Sequence, residues 1–348
     1  MDQLMAETLN NIAPLDETAM AKARDRLDGL LKPPGSLGKL EDLAVQLAGI
    51  YGETLPRVRP KGIVMMAADN GVYEEGFHTY PQEITRVVAE LAGPGLIGVS
   101  VLARHAGCRL LVVDVGIKGE VRGEHILSRK IKNGTGNIVK GPAMTREEAI
   151  RAVEVGIEAA NFLIESGIGV LGTGEVGICN TTTTAAVLAG LTGVCPQEVV
   201  GAGTGGGDEA YRLKLKAVRE ALAVNRPDGR DPIDVLAKVG GLDLAGLVGC
   251  CLAAAARRTA VVIDGFIAGT AALAAVRLNP LVRNYLIPSH LSAEKGARLV
   301  LEKLEMEPLL LMNMRLGEGT GAALAFSLID AACKIINEMG SFADLDSV

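Results

Sequence analysis

Short apolar runs recur along the chain, most of them separated by stretches of helical periodicity. They are residues 63–68 (IVMMAA), 110–115 (LLVVDV), 168–171 (IGVL), 260–263 (AVVI), 285–288 (YLIP) and 309–312 (LLLM). Such runs read as strands buried on both faces, and the intervening three-to-four spacing reads as helix. Strands joined through helices have parallel neighbours, and a parallel sheet needs helices on each face. The sequence therefore predicts an α/β fold, a parallel sheet covered by helices in the Rossmann-like manner. Ligands in such sheets bind where loops gather at the carboxyl ends of the strands.

The helical stretches have their own signals. Residues 145–166 carry a capping box, Thr145 with Glu148, and Ile150, Val153, Ile157, Ala160 and Ile164 share one face. Residues 18–31 and 37–51 read as helices broken by the prolines and glycines of KPPGSLG (32–38). Residues 182–191 and 209–224 read as two more. A length of 348 residues suits two domains or one large one. The end segments, 1–51 and 319–339, stand outside the alternation. They predict a small helical domain built from both termini (1–58 and 300–348) beside a large α/β nucleotide-binding domain (59–299).

Composition narrows the function classes. The charge sum, 35 − 41 = −6, argues against nucleic acid or an anionic membrane as partner. With no Trp and 3% aromatic residues, packing must rest on Ala, Val, Leu and Ile. The 43 glycines follow no collagen period and suit turns and close backbone approach. No apolar run reaches the roughly 18–20 residues of a bilayer span, and the polar, acidic start lacks the basic and apolar regions of a signal peptide. The six cysteines form no C-x-x-C, and only four histidines accompany them. That pattern predicts reduced thiols in a cytoplasmic protein and no structural metal.

The loops carry the candidate chemistry. Gly172, Gly174 and Gly177 spell G-x-G-x-x-G between a strand and a helix, the outline of a dinucleotide fingerprint. Yet Glu175 inside it would repel a pyrophosphate, and Glu198 precedes its strand instead of ending one. What remains is a helix start, residues 180–184, whose hydroxyls and amides suit a phosphate or ribose. The loop 201–208 (GAGTGGGD) lacks the G-K-[ST] ending of a P-loop, and Asp208 reads as an N-cap. Lys214 is either a phosphate ligand or a surface charge, and Ser292 either an N-cap or a phosphate ligand. Asp264 ends an apolar run before G-x-x-x-G-T, similar to the ribose loop of phosphoribosyl-pyrophosphate enzymes but without their paired acids, since Gly265 follows. Glu318, between glycines in RLGEGTG, is either a general base or an acid serving a helix N-terminus.

Taken together the loops resemble one family. KPPGSLGKLE, AADNGVYEEGFHTYPQEIT, GTGEVGICNTTTTAA, GAGTGGGDEA, DGFIAGTAAL, PSHLSAEKGA and MRLGEGTGAALA occur in that order over nearly the whole chain. The pattern resembles the nicotinate-nucleotide:dimethylbenzimidazole phosphoribosyltransferases of the cobalamin (vitamin B12) lower-ligand pathway. The resemblance implies transfer of the phosphoribosyl group of nicotinate mononucleotide to a nitrogen of 5,6-dimethylbenzimidazole or a related base. It implies α-ribazole 5′-phosphate and nicotinate as products, a homodimer, no cofactor and no metal.

By the same resemblance Glu318 is the general base and Glu175 a second acid near the ribose. Gly174, Gly177, Asn180, Thr181, Gly203, Gly205, Lys214, Asp264 and Ser292 hold the mononucleotide. Tyr80, Gln82 and Leu316 meet the accepting base. Asn70 stands where the family often has histidine, and Tyr80 where it often has a small or polar residue, so the accepted base stays open. The rival readings are a magnesium- and phosphoribosyl-pyrophosphate-dependent transferase, an NAD-binding oxidoreductase and a non-catalytic mononucleotide-binding protein.

Overall fold

The computed structural model describes residues 3–203 and 207–347. Six strands, β1 (Lys61–Ala68), β2 (Arg109–Gly116), β3 (Ile126–Ser128), β4 (Val170–Val176), β5 (Ala260–Ile263) and β6 (Leu286–Pro288), form one sheet in the order β3-β2-β1-β4-β5-β6. Every neighbouring pair is parallel. All eight residues of β1 and all four of β5 are buried, as a sheet covered on both faces requires. From β1 the chain builds outward one way to β3 and then the other way from β4 to β6. The crevice between the ends of β1 and β4 is therefore the topological switch point, where doubly wound sheets take their ligands.

The helices are α1 (Gln3–Asn10), α2 (Glu17–Asp28), α3 (Lys39–Tyr51), α4 (Ile84–Ala92), α5 (Gly98–His105), α6 (Arg146–Glu165) and α7 (Asn180–Thr192). They continue with α8 (Pro196–Val199), α9 (Gly207–Asn225), α10 (Pro232–Val239), α11 (Leu242–Ala256), α12 (Phe266–Leu278), α13 (Ala297–Leu304) and α14 (Thr320–Glu338). Side chains alternate faces along β1: Ile63 meets Gly319 at the start of α14, whereas Met66 meets Gly246 of α11. Helices α6, α11 and α12 pack together on the α11 face; α4, α5 and α14 cover the other. Packing rests on Ala, Val, Leu and Ile, as expected, and also on glycines where helices touch. Gly156 of α6 and Gly249 of α11 lie so close to the facing carbonyls of Gly246 and Val153 that a Cβ on either would clash with backbone.

The two ends of the chain meet. Leu30 and Ser341 form an antiparallel bridge, and Arg26 donates to the carbonyls of Ile336 (3.3 Å) and Met339 (2.8 Å). Helix α3 packs on both α2 and α14, whereas α1 lies on α6 and α11.

Four sequence expectations are corrected. Residues 309–312 form no strand; Leu310 makes a single bridge to His290, and Leu311 and Met312 are exposed because no layer covers them. The strand expected to stop at residue 171 runs on to Val176. Asp208 lies in the first turn of α9 instead of capping it. Helix α14, 19 residues, is long and apolar enough to cross a bilayer, which no stretch was expected to be. Its apolar residues are instead spent on β4, β5, α3 and α5. The expected helix at 145–166 forms, with both hydrogen bonds of its capping box.

Candidate active site

The extension of β4 decides the site. Gly172 and Gly174 sit inside the strand, in register with Ile63 and Met65 of β1. Gly174 is a glycine because the turn leading into α14 crosses it: a Cβ there would clash with the Glu318 carbonyl and stand 2.9 Å from the Gly319 nitrogen, whereas Gly172 lies under Phe326 and Ala322 of α14. The dinucleotide fingerprint is thus not formed as a turn, and its glycines serve strand–loop contact. The consequence is that Glu175 comes to the carboxyl end of β4 with Gly317 against it, where a Cβ would lie 2.5 Å from Glu175 Oε1.

Glu318 is presented by three successive left-handed residues, Gly317 (φ 85°), Glu318 (φ 63°) and Gly319 (φ 99°). For the non-glycine residue that conformation costs roughly 1–2 kcal/mol, and surrounding contacts hold it in place. Glu318 Oε2 accepts from the Val99 amide (3.0 Å) at the first turn of α5. The reading of this acid as one that serves a helix N-terminus is therefore realised, but the terminus is that of α5 and not its own. Burial raises the Glu318 carboxyl above the ordinary glutamate value, against the lowering effect of the Val99 and Gly98 amides.

Asp264 holds the other side of this turn. Its Oδ1 accepts from the amides of Gly321 (2.7 Å) and Ala322 (3.3 Å), and its Oδ2 from that of Gly319 (3.1 Å). Burial pushes its carboxyl up to about 7 although these bonds oppose the shift. Asp264 lines the cleft, but its hydrogen bonds are spent on fixing the Glu318 turn. His290 stands beside it, its Nδ1 2.9 Å from Ser289 Oγ and 4.0 Å from Asp264 Oδ1, and burial lowers its pKa, which favours the neutral ring.

Beyond Gly177 the chain turns through Cys179 (φ 72°) into α7, whose N-terminus points at the cleft. Asn180 Nδ2 donates to Glu175 Oε2. Lys214, buried on α9, donates to Thr181 Oγ1 (2.8 Å), and burial lowers its pKa. Gly177, Asn180, Thr181, Gly203 and Lys214 line a small recess with residues 77–80, suited to an anion at a helix N-terminus. It adjoins a larger cleft of about 540 Å³ that contains Glu175, Asp264, Ser292, Leu316 and Glu318. Tyr80 borders both, and Ile84 and Val88 of α4 add an apolar wall.

Most of the residues named from the sequence thus converge at the switch point. Ser292 Oγ accepts from the Glu294 amide (3.3 Å), well before α13 begins, so it caps no helix. Gln82 Nε2 donates to the Asn70 carbonyl (3.4 Å) and lines neither the cleft nor the recess. Gly205 lies outside the described residues. Sequence reasoning missed Asp243, His290 and the α4 wall. The signal for Asp243 was a lone acid opening an otherwise apolar stretch, LDLAGLVGCC.

The profile of a family described as Phosphoribosyltransferase matches residues 12–346. The chain belongs to this family. It is 49% identical over 338 residues to a Clostridium acetobutylicum protein named nicotinate-nucleotide–dimethylbenzimidazole phosphoribosyltransferase, covering 97% of this chain and 96% of that one. A Ruminiclostridium cellulolyticum protein of the same name is 52% identical over 338 residues, with the same coverage. A solved structure of that name from Thermus thermophilus superposes with a TM-score of 0.91 at 42% identity, over 96% of this chain and 99% of that one. That superposition shows that the Thermus thermophilus protein and this chain share one fold.

Proposed function

We propose that this protein transfers the phosphoribosyl group of nicotinate mononucleotide to a nitrogen of 5,6-dimethylbenzimidazole or a related base, giving α-ribazole 5′-phosphate and nicotinate. The observation that carries the reading is Glu318, pinned by α5 and Asp264 and directed into a cleft that also holds Glu175 and an anion recess. Lys214, Thr181, Ser292 and the α7 N-terminus suit the phosphate. Gly177 and Gly203, which line the recess, suit close backbone approach to the mononucleotide, whereas the space over Gly174 is taken by the Glu318 turn. Asn180, Glu175 and Asp264 suit the ribose side, and Tyr80, Leu316 and Gln82 the base side.

The chemistry follows from charge. The bond between C1′ and the pyridinium nitrogen breaks, its electron pair returning to the ring, so nicotinate leaves neutral at nitrogen and needs no acid. An azole nitrogen forms the new bond to C1′, and the proton of its N–H passes to the Glu318 carboxylate. A carboxyl raised toward neutral pH is the better base for this step. Carboxylates beside the sugar favour its developing cation. No pyrophosphate leaves, so the reaction calls for no magnesium.

The organisation is proposed with the function. Packing of α2, α3 and α14 and the Leu30–Ser341 bridge support a helical unit from residues 1–58 and 300–348, with 59–299 as the nucleotide-binding part. The exposed apolar side chains Leu91, Leu96 and Val101 support a homodimer. Six free thiols suit the cytoplasm. The test is nicotinate release from nicotinate mononucleotide with a panel of bases and no divalent metal. Dependence on each base supports the reading; strict loss in chelator, restored by magnesium, would contradict it.

A further inference from the structure

Asp243 is the buried acid that the chemistry above leaves without a task. It is fully buried in the first turn of α11, and neither carboxylate oxygen has a hydrogen-bond partner of good geometry among the described residues. The amides of Asn180 and Asn70 lie beside it, and the same Asn180 donates to Glu175. A Cβ on Gly177 would stand 2.9 Å from Asp243 Oδ2, so this acid lies directly beneath the turn that follows Glu175.

Glu175 therefore faces acids from three other elements: Asp243 of α11, Asp264 after β5 and Glu318 before α14. Among the described residues no lysine or arginine pairs with any of the four, and burial favours the neutral ring of His290 beside Asp264. Lys214 is engaged with Thr181, and Arg315 and Glu294 line the cleft without pairing with these acids. Like charges gathered in a buried site disfavour full ionisation, so a proton kept on one of them relieves the repulsion.

We propose that Asp243 is a positioning residue that keeps a proton on Glu175 in the unliganded protein, and that binding of a mononucleotide whose pyridinium nitrogen lies beside Glu175 releases this proton. The inference rests on the pyridinium substrate of the proposed function. On binding, the ring cation takes its place beside Glu175, the proton leaves the carboxyl for the solvent buffer, and the carboxylate stays opposite the cation. Burial and the charge of Asp243 push Glu175 well above its ordinary value, in the sense this requires. Burial raises the Asp243 carboxyl itself to about 7, against the lowering effect of the Leu244 amide and the Asn180 and Asn70 side chains.

The experiment is calorimetric titration of the whole protein with nicotinate mononucleotide between pH 7 and 9. Two buffers of different ionisation enthalpy give the number of protons released. Above pH 7 the substrate phosphate is already largely dianionic. The wild type should release up to about one proton more than Glu175→Gln, and its affinity should rise by up to about tenfold per pH unit where that release occurs. Lys214 works in the opposite sense and cancels in the comparison. Asp243→Asn keeps size and shape but removes the charge, and should release fewer protons than wild type at the same pH. A purely structural Asp243 would leave the proton count unchanged. Equal release in wild type and both variants overturns the inference. If neither variant binds, wild-type affinity and heat that vary with neither pH nor buffer overturn it equally. Absence of any wild-type binding overturns the proposed function itself, and this inference with it.

Discussion

Replacing Glu318 with glutamine isolates proton removal from everything else the residue does. The glutamine carbonyl can accept from the Val99 amide at the same 3.0 Å, so the left-handed turn and the α5 terminus keep their anchor. What is lost for the fold is a carboxylate at a helix N-terminus, about 0.3–1 kcal/mol. What is lost for the reaction is the base, worth about 10²–10⁴-fold, or about 2.7–5.5 kcal/mol of barrier. The kinetic effect should therefore exceed the folding effect several times over. Turnover with nicotinate mononucleotide and dimethylbenzimidazole should fall within that range while substrate affinity changes little.

The pH profile supplies the sign. The base must be ionised, so wild-type turnover should fall as pH drops through the Glu318 pKa, which burial places above the ordinary glutamate value. Glu318→Gln should lose this acid limb and recover partly at alkaline pH, where the azole proton leaves by another route. Glu175→Gln should show a smaller loss and no alkaline rescue. Near-normal turnover in Glu318→Gln, with loss and alkaline rescue in Glu175→Gln, would reverse the two roles and refute the argument.

Gly174→Ala would drive a methyl into the backbone at residues 318–319, and the overpacking should cost about 1–3 kcal/mol; turnover should drop with nucleotide binding nearly kept, and unchanged turnover would show that the strand does not position Glu318. Lys214→Met should raise KM for nicotinate mononucleotide by about tenfold or more with a smaller effect on kcat, as expected for loss of a charged phosphate contact of about 1.5–3 kcal/mol; steady-state kinetics in the nucleotide decide. Tyr80→Ser should change the relative rates with benzimidazole, dimethylbenzimidazole and adenine, because Tyr80 borders both recesses; identical ratios would remove it from base selection.

Local chemistry made much of this protein legible in its sequence. Short apolar runs fixed five of the six strands, and helix 145–166 declared itself through its capping box and one-sided periodicity. The parallel sheet followed from their alternation, and loops expected at strand ends gather Glu175, Asp264, Ser292 and Glu318 around one cleft. Strand β3, three half-exposed residues, was too short to leave a pattern. Helices α11 and α12 are buried nearly all round, so they lack the polar face that periodicity needs.

Tertiary structure decided the rest, because the relevant contacts join residues far apart in the chain. Only the packing of α14 and its leading turn over β4 explains why two glycines belong inside a strand and places Glu175 beside the turn. Only the approach of α5 shows which helix terminus Glu318 serves. Asp243 reads in sequence as one acid in an apolar helix; its closeness to Glu175, and the charge coupling that results, exist only once α11 is packed beneath β4. Periodicity and capping are properties of neighbours along the chain, so sequence reveals them. Desolvation and charge repulsion depend on distance through space, and the fold sets that distance.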